Sequence, residues 1–447
     1  MKPGIPPKSH PTSVVRIVTD TPIQPPLALA LPNMWIALLA SLTASPAALA
    51  PAANPTALPT AAHASPAPLA APTNDGPPTV EWRGDDVQFG SLAETLAKAG
   101  IDKTYAGSVA AQFATLTEWA AEHDYTAAMT DDARVVLFAY SESRLKKRMK
   151  ELDKAIAAFD EAFTPPDRSD SKEKFHGKSG AAGHYRPDAK AAILVELKKN
   201  QPYRELVYAV GENDDTPAQD WVATMAEKPG FCEGRFGVAG WEVAPAGFEV
   251  GDVWRTENEL CNRVGRLLLY RHFGPQPTWF DVATGWIVEE AVKGDIYSFP
   301  YRYEFVGIGE HTGWKSELKR AFKKRKKEPL EMSELTRWKR NTWDDRCAAL
   351  AWGMMTYLQA TAPESLGQIA EAQRLTYKTK TITESVDKAG RHSWAYTPVG
   401  QIQTDSQQSA LVTATQETIL EDASTFFRTW KLPKKSRVRS ASTKSRR

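Results

Sequence analysis

The sequence predicts an α+β protein, with a small α/β N-terminal module followed by a mainly helical domain. Two short runs, 133–140 (ARVVLFAY) and 191–197 (AAILVEL), are almost entirely apolar, which is typical of buried strands. Between them, residues 141–163 repeat large apolar side chains at alternating steps of four and three, the period of an amphipathic helix. Residues 254–290 then hold two helical segments joined by a loop with two prolines. This succession of strands and helices indicates the fold class.

Size and composition limit the remaining choices. A chain of 447 residues has room for two to three domains of about 150 residues each. The net charge is +2, but residues 431–447 carry eight Lys or Arg and no acidic residue, so the rest of the chain is mildly acidic. Three cysteines are too few for a disulfide scaffold, so packing must hold the core together.

The first 79 residues are expected to lie outside the folded domains. Residues 1–50 form an extension whose uncharged run from Met34 ends in small residues around Ala48–Ala50, as a secretory signal does. The apolar stretch 27–50 could instead be an uncleaved membrane anchor, or simply a low-complexity segment. An Ala/Pro-rich linker over 51–79 follows. We therefore expect an exported protein, periplasmic or extracellular, or one anchored by residues 27–50.

The elements that follow are predicted in order along the chain. The α+β module, 80–212, begins with a short helix between the Ser91–Glu94 capping box and Gly100, and a second helix over 107–123. The strand at 133–140, the long helix, the strand at 191–197 and a helix over 203–210 complete it. The helical domain, 213–375, includes an apolar helix at 344–360 and a helical stretch at 363–372. We expect an extended segment at 296–306, an irregular segment at 379–403, a helix at 404–430 within the C-terminal helical segment, 376–430, and a disordered basic tail over 431–447.

The most informative residues lie in the central stretch. Asn258, Glu259 and Asn262 stand at i, i+1 and i+4 of its first helix, so Asn258 and Asn262 share one face. In an H-E-x-x-H zinc hydrolase, two histidines at this spacing bind the metal and the glutamate activates the bound water. A third ligand, usually Glu, comes from the following helix.

This stretch resembles the peptidase-MA-like, or gluzincin, metallopeptidase superfamily. NELCN (258–262) stands where the family has H-E-x-x-H, and the loop 274–279, with its prolines and Trp, resembles the loop before the second helix. Thr284-Gly285 stands where the family has Glu-Gly, in a segment that continues to Glu290. The resemblance covers residues 190–375. It implies a helical metallopeptidase-like domain.

The departures from the family pattern predict that the activity is lost. Asn258, Asn262 and Thr284 replace all three metal ligands, and only Glu259, at the general-base position, remains. A neutral amide is a poor zinc donor beside imidazole, thiolate or carboxylate. We therefore expect no metal, no cofactor and no catalysis: a pseudo-metallopeptidase that binds peptide or glycan, if anything, in the relic cleft.

Two details of the central helices leave alternatives open. Glu259 could face Glu289 or Glu290 across the two helices as an acid/base pair of a metal-independent hydrolase. Its alternative is a buried carboxylate bonded to Asn262 or Arg263. The tryptophans could pack the core or line a groove that stacks on sugar rings or an extended peptide. The groove candidates are Trp279, Trp286, Trp314 and Trp338.

A basic amphipathic helix follows the central pair. Trp314, Leu318 and Phe322 recur at i, i+4 and i+8 among eight Lys and Arg between residues 315 and 327. Such a face is either simply solvated or binds an anionic surface, which could be membrane, nucleic acid or acidic polysaccharide. The basic tail, 431–447, could act with it or serve only for solubility.

Overall fold

The computed structural model describes a large part of the chain between residues 78 and 432. The described residues are 78–164, 190–198, 203–211, 222, 225–226, 228, 230–242, 255–298, 311–325, 328–337, 345–377, 382–386, 392–396 and 402–432. They divide into two units. The larger holds the described residues from 78 to 377 and from 402 to 432, and the smaller holds 382–386 and 392–396.

A seven-stranded mixed sheet forms the centre of the larger unit. Its strands are β1 (Thr79–Trp82), β2 (Asp85–Gln88), β3 (Thr126–Met129), β4 (Val135–Ala139), β5 (Ala192–Leu197), β6 (Gly230–Glu233) and β7 (Val238–Glu242). They lie side by side in the order β2-β1-β3-β4-β5-β7-β6. The pairs β1–β3, β4–β5 and β5–β7 are parallel, and the others are antiparallel.

The helices of the described residues come before, between and after these strands. They are α1 (Leu92–Lys98), α2 (Lys103–Glu122), α3 (Glu142–Ala162), α4 (Tyr203–Gly211), α5 (Thr256–Phe273), α6 (Thr278–Lys293), α7 (His311–Lys324), α8 (Met332–Thr336), α9 (Asp345–Thr361), α10 (Ser365–Leu375), α11 (Thr404–Ala414) and α12 (Ile419–Thr429). The smaller unit contributes a hairpin of β8 (Ile382–Val386) and β9 (His392–Tyr396).

Helices cover both faces of the sheet. Every residue of β4 and β5 is buried, as expected for central strands between two layers of helices. Because side chains alternate along a strand, Val136 packs in a core with α1, α2 and α4, whereas Val135 packs in a second core with α3, α5 and α6. This second core continues into α7–α12 and so joins the sheet to the helical part.

The predicted mixture of helices and strands is confirmed, and several details are corrected. The sheet extends to β6 and β7, beyond residue 212, so the expected boundary between 80–212 and 213–375 does not separate sheet from helices. Residues 379–403, predicted to be irregular, contain the β8–β9 hairpin. The helix predicted over 404–430 is two helices, α11 and α12.

Local hydrogen bonds explain two of the revised helix boundaries. α2 begins at Lys103 rather than near residue 107 because Asp102 caps it, accepting from the backbone N–H groups of Thr104 at 2.9 Å and Tyr105 at 3.0 Å. α11 ends at Ala414 because Thr415 leaves the helical conformation and its hydroxyl donates to the Leu411 carbonyl at 2.6 Å, and α12 begins only after Thr418.

The central pair, α5 and α6, lies in the interior. Of 18 residues in α5, 14 are buried, and of 16 in α6, 10 are buried. A helix that is buried around most of its circumference belongs to the core rather than to the surface. α5 packs against α6, α3 and strands β5 to β7. Glycines end both helices, with Gly274 at φ 71° and Gly294 at φ 77°.

Candidate functional site

The two central helices approach each other closely at two glycines. A Cβ on Gly265 would lie 2.9 Å from Val288 Cγ2 on α6. A Cβ on Gly285 would lie 2.8 Å from Asn262 Nδ2 and 2.9 Å from the Asn262 carbonyl oxygen on α5. Only glycine leaves room for backbones this close. The close approach brings the polar side chains of α5 within reach of α6.

Both amides of the N-E-x-x-N segment point at one carboxylate. Asn258 Nδ2 donates to Glu289 Oε1 at 2.8 Å, and Asn262 Nδ2 donates to Glu289 Oε2 at 3.3 Å. All three side chains are buried, Glu289 completely. The i and i+4 positions of α5 therefore share a face, as the helical repeat predicted, and they meet an acid on α6, which the sequence analysis did not predict.

Backbone groups complete the shell of Glu289. The N–H groups of Tyr297 and Ser298 donate to Glu289 Oε1 at 2.5 and 2.9 Å. Burial raises the pKa of Glu289 to about 8, although the hydrogen bonds from Tyr297, Asn258, Ser298 and Asn262 act in the opposite direction. At neutral pH, the carboxyl group therefore carries its proton for a large part of the time.

The segment 294–298 closes over the start of α5 and is held from both sides. Asp295 forms an ion pair with Arg255 and accepts from Asn258 Nδ2 at 3.3 Å. The Arg255 guanidinium also lies 5.2 Å from the centre of the Tyr297 ring. These contacts, together with those of Glu289, leave the polar cluster of α5 and α6 enclosed by the protein itself.

Thr284 does not take the place of a third ligand. Its hydroxyl donates to the carbonyl oxygen of Phe280 in its own helix at 2.8 Å, and its side chain is completely buried. The acid opposite Asn258 and Asn262 is Glu289, one residue more than a turn further along α6. The assignment of Thr284 as the relic third position is corrected accordingly. The sequence could not decide this, because it depends on how α5 and α6 cross.

Glu259, which the resemblance places at the general-base position, has an ion-pair partner on its own helix. It forms an ion pair with Arg263 at i+4, and both side chains are largely buried. Arg263 also donates to the carbonyl oxygen of Phe231 at 3.3 Å and lies over the Trp241 ring, on the β6–β7 side of α5. Burial lowers the pKa of Arg263 to about 10, which still leaves it cationic at neutral pH. The Glu259 carboxylate therefore already has a buried cationic partner.

The proposed carboxylate pairs find no support in these contacts. Glu259 is 2% exposed and Glu289 is 0% exposed, so neither borders an open cleft that a substrate could enter. Their hydrogen-bonding partners lie on different sides of α5. Glu290 accepts from the indole N–H of Trp352 at 3.0 Å, away from Glu289's partners.

The tryptophans proposed to line a groove belong to the core. Trp279, Trp286 and Trp314 are at most 1% exposed. The indole N–H of Trp279 donates to Gln407 at 2.9 Å, and that of Trp286 donates to the Ser298 carbonyl at 2.7 Å. The rings of Trp286 and Trp314 are 4.9 Å apart. The groove interpretation is wrong for these three residues, and Trp338 lies outside the described residues.

The described part of the chain holds no cluster of side chains that could bind a metal ion. Within those ranges, His, Cys, Asp and Glu do not come together in groups of three or more that could hold a metal ion. At the N-E-x-x-N segment, the donors facing Glu289 are amides and backbone N–H groups. The arrangement can hold a carboxyl group in place, and the partly exposed carboxylate beside it, Asp295, is paired with Arg255.

A buried ionic network, which the sequence analysis missed, fixes the start of α5. Arg144 and Arg148 of α3 both bond to the fully buried Glu196 at the end of β5, at 2.8 Å. Both also donate to the hydroxyl of Thr256, the first residue of α5. Partial burial raises the pKa of Glu257, but the hydrogen bond and charge of Arg148 outweigh it and lower this pKa to about 2. In the sequence, the one sign of this network was that Arg144 and Arg148 stand four residues apart and so share a face of α3.

A second overlooked feature is a basic cavity at the other end of α5. Its volume is about 240 Å³, and its lining includes Lys190, Arg235, Tyr270 and Arg271 but no acidic side chain. Arg271 Nη1 donates to the Lys190 carbonyl at 2.5 Å. These residues are far apart in the sequence, so nothing in the local pattern indicated that they meet.

The basic helix is α7, and its two faces differ sharply. Trp314, Leu318 and Phe322 are buried in the core, as their spacing predicted. On the other face, Lys315, Arg320, Lys323 and Lys324 are exposed and Lys319 is half-buried. In the described part of the chain, no carboxylate lies within ion-pairing distance of Lys319, Arg320, Lys323 or Lys324. Lys315 lies over the Trp430 ring at 5.3 Å.

Several predictions fall on residues outside the described ranges. These are the signal or anchor in 1–50, nearly all of the linker 51–79, most of the segment 296–306, and the tail beyond Leu432. Among the helices that the structure describes, none combines the length and apolar character needed to cross a bilayer.

Neither protein-family models nor the curated proteins contain a significant match to this chain.

Proposed function

We propose that this chain is a non-catalytic protein in which the central helices α5 and α6 serve as scaffold. A single observation carries the proposal. Asn258 and Asn262, at the positions where the resembled metallopeptidases hold zinc, both donate to Glu289. The site that would bind a metal is satisfied by hydrogen bonds within the protein. The expected relation to the peptidase-MA-like superfamily remains part of this proposal, as does export.

The enclosure of the cluster supports the absence of catalysis. A reacting group must reach its substrate, and the three side chains at the centre are 0 to 5% exposed. The remaining acid, Glu259, is committed to Arg263. Since the tryptophans nearby are core residues, the proposal does not include peptide or glycan binding in the relic cleft.

Metal analysis of the purified full-length protein tests the proposal. After incubation with zinc and dialysis, we expect far less than one zinc per chain by inductively coupled plasma mass spectrometry. Peptide and glycoside hydrolysis should remain at the level of a buffer blank. Stoichiometric zinc would contradict the proposal. So would hydrolysis that Glu259→Gln or Glu289→Gln abolishes, because that result would establish the alternative of a carboxylate-dependent hydrolase.

A second candidate function, binding to anionic surfaces, is favoured by α7. Four of its cations have no carboxylate partner in the described residues, and three of these four are exposed. Residues 433–447 continue the chain after α12 with seven further Lys or Arg and no acid. On a heparin column, we expect the full-length protein to elute at higher salt than a variant that ends at Leu432. If the full-length protein and the truncated variant elute at the same low salt concentration, binding to anionic surfaces is excluded.

A further inference from the structure

The charged face of α7 is regular and rigidly supported. Taking about 100° per residue, its five cations cover roughly half of the helix circumference, opposite the stripe of Trp314, Leu318 and Phe322. From Lys315 to Lys324, they extend along about 14 Å of the axis. Glu317, partly buried, is the one acidic side chain on the helix. Glu328 and Glu331, both exposed, lie beyond its C-terminal end.

The buried face of α7 argues against insertion into a membrane. An interfacial helix binds a bilayer by placing its apolar face among the acyl chains. In α7 that face is already occupied: Phe322 contacts Phe427 of α12 with ring centres 5.1 Å apart, and Trp314 contacts Trp286. The Phe322 carbonyl accepts from Arg428, which fixes α12 further against α7. Only charge remains available for an external partner.

The charged face also lacks the features needed to recognise bases or sugar rings. Binding of single-stranded nucleic acid requires exposed aromatic rings on which bases stack. Among the described residues, the ring that contacts a cation of this face is Trp430, which is half-buried between Lys315 and Trp352 and stacks with Trp352 at 5.3 Å. Four of the five cations are lysines, which act as point charges and not as bidentate readers of base edges. Such a surface recognises a charged backbone without regard to sequence.

We propose that α7 binds the phosphate backbone of double-stranded nucleic acid, without sequence specificity. This inference rests on the second candidate function and names its partner. Duplex DNA carries one negative charge per about 1.7 Å of axis, so a length equal to that of the five cations holds about eight phosphates on its two strands, part of which can face α7. Trp430, at the end of α12, lies beside Lys315 at one edge of this surface.

The experiment measures binding of the full-length protein to fluorescent DNA duplexes of two unrelated sequences, by anisotropy, over a range of salt concentrations. The test variant changes Lys319, Arg320, Lys323 and Lys324 to Ala. The matched control changes four exposed lysines elsewhere to Ala: Lys103, Lys150, Lys154 and Lys198. Both variants lose the same charge, and thermal melting verifies that both are folded.

We expect the two duplexes to bind within twofold of each other. The α7 variant should bind at least tenfold more weakly at low salt, and its slope of log affinity against log salt should fall by up to about 3.6. The control variant should stay within twofold of the wild type. Equal weakening of the two variants would overturn the proposal, because binding would then follow net charge alone.

Vesicles containing anionic lipid and a uronic acid polymer serve as competing probes. One of these probes could bind the protein more tightly than the duplex does, and its binding could be weakened by the α7 variant. In that case the inference of nucleic acid is wrong, although the second candidate function, binding to anionic surfaces, stands. If no polyanion binds at all, both fail. Neither result bears on the metal test of α5 and α6.

Discussion

Asn258 of α5 and Glu289 of α6 are joined by a hydrogen bond of 2.8 Å between the amide nitrogen and the carboxyl oxygen. The bond connects the first turn of one buried helix to the last turns of the other. Around it, the amide of Asn262 and two backbone N–H groups use the remaining acceptor positions of Glu289. Four donors thus depend on one side chain, and this determines how substitutions there should behave.

Replacing Glu289 with Leu should strongly destabilise the protein. The change leaves the Asn262 amide and the backbone N–H groups of Tyr297 and Ser298 without this acceptor, and leaves Asn258 with Asp295 alone. Each buried donor that loses its acceptor costs about 1–3 kcal/mol. We expect the free energy of unfolding to fall by roughly 3–5 kcal/mol, measured by urea denaturation.

Glu289→Gln is the matched control. Its Oε1 can accept as before, and its amide nitrogen can donate to Asn262 once that side-chain amide is rotated. The loss should stay below about 1.5 kcal/mol. Equal losses for Leu and Gln would indicate that the hydrogen bonds contribute little.

The stability of the protein should depend on pH through Glu289. Burial raises its pKa from 4.5 to about 8 in the folded state, so the folded protein binds a proton that the unfolded chain has released. Stability from this group is therefore fully present below pH 4.5 and is lost as pH rises towards 8, at no more than about 1.4 kcal/mol per pH unit. Urea titrations at several pH values should be flatter for Glu289→Gln across this interval. The same slope in both proteins would assign the effect to other groups.

Restoring imidazole at the two amide positions should create a zinc site. Asn258→His with Asn262→His would present two nitrogen ligands to Glu289, which already lies within hydrogen-bonding distance of both side chains. Two His and one Glu are a known zinc set. We expect zinc to raise the melting temperature of the double variant and to remain bound at about one per chain after dialysis.

The wild type and the single variant Asn258→His are the controls, and neither should retain zinc. A folded double variant that binds none would indicate that α5 and α6 do not present these positions to a common point.

Arg148 should be essential for the attachment of α5 to the sheet. It is completely buried and bonds to Glu196, which is also completely buried. Arg148→Met removes one partner of this pair and leaves Glu196 with Arg144 alone, for which a loss of about 3–5 kcal/mol is expected. Lys150→Ala, at an exposed position of the same helix, should change stability by less than about 0.5 kcal/mol. Similar unfolding midpoints for the two variants would argue against the network.

The close approach of α5 and α6 can be tested at Gly285. A Cβ there would lie within 3.0 Å of both the side chain and the backbone of Asn262, so Gly285→Ala should cost about 1–3 kcal/mol. Gly107, in α2, has nothing within 4 Å of its would-be Cβ. Gly107→Ala should therefore stabilise the protein by up to about 1 kcal/mol, through helix propensity alone. Differential scanning calorimetry separates these opposite signs.

Local patterns were sufficient for most individual elements. The apolar runs at 133–140 and 191–197 are β4 and β5, and the steps of four and three over 141–163 are α3. Strands β1, β2, β3, β6 and β7 were missed. β7, for example, is buried by contacts with β5 and α5 that arise only in the tertiary structure. Together with β4 and β5, the five missed strands form the seven-stranded sheet.

The sequence by itself determined that two buried helices follow each other, that Asn258 and Asn262 share a face, and that α7 has an apolar and a cationic side. Those properties follow from the helical repeat, which involves only neighbours along the chain. The tertiary structure decided that Glu289 and not Thr284 meets the amides, and that the tryptophans are enclosed. These outcomes depend on how closely α5 and α6 pack at Gly265 and Gly285, and on segment 294–298 closing over them. Such long-range contacts leave no periodic signal in the sequence.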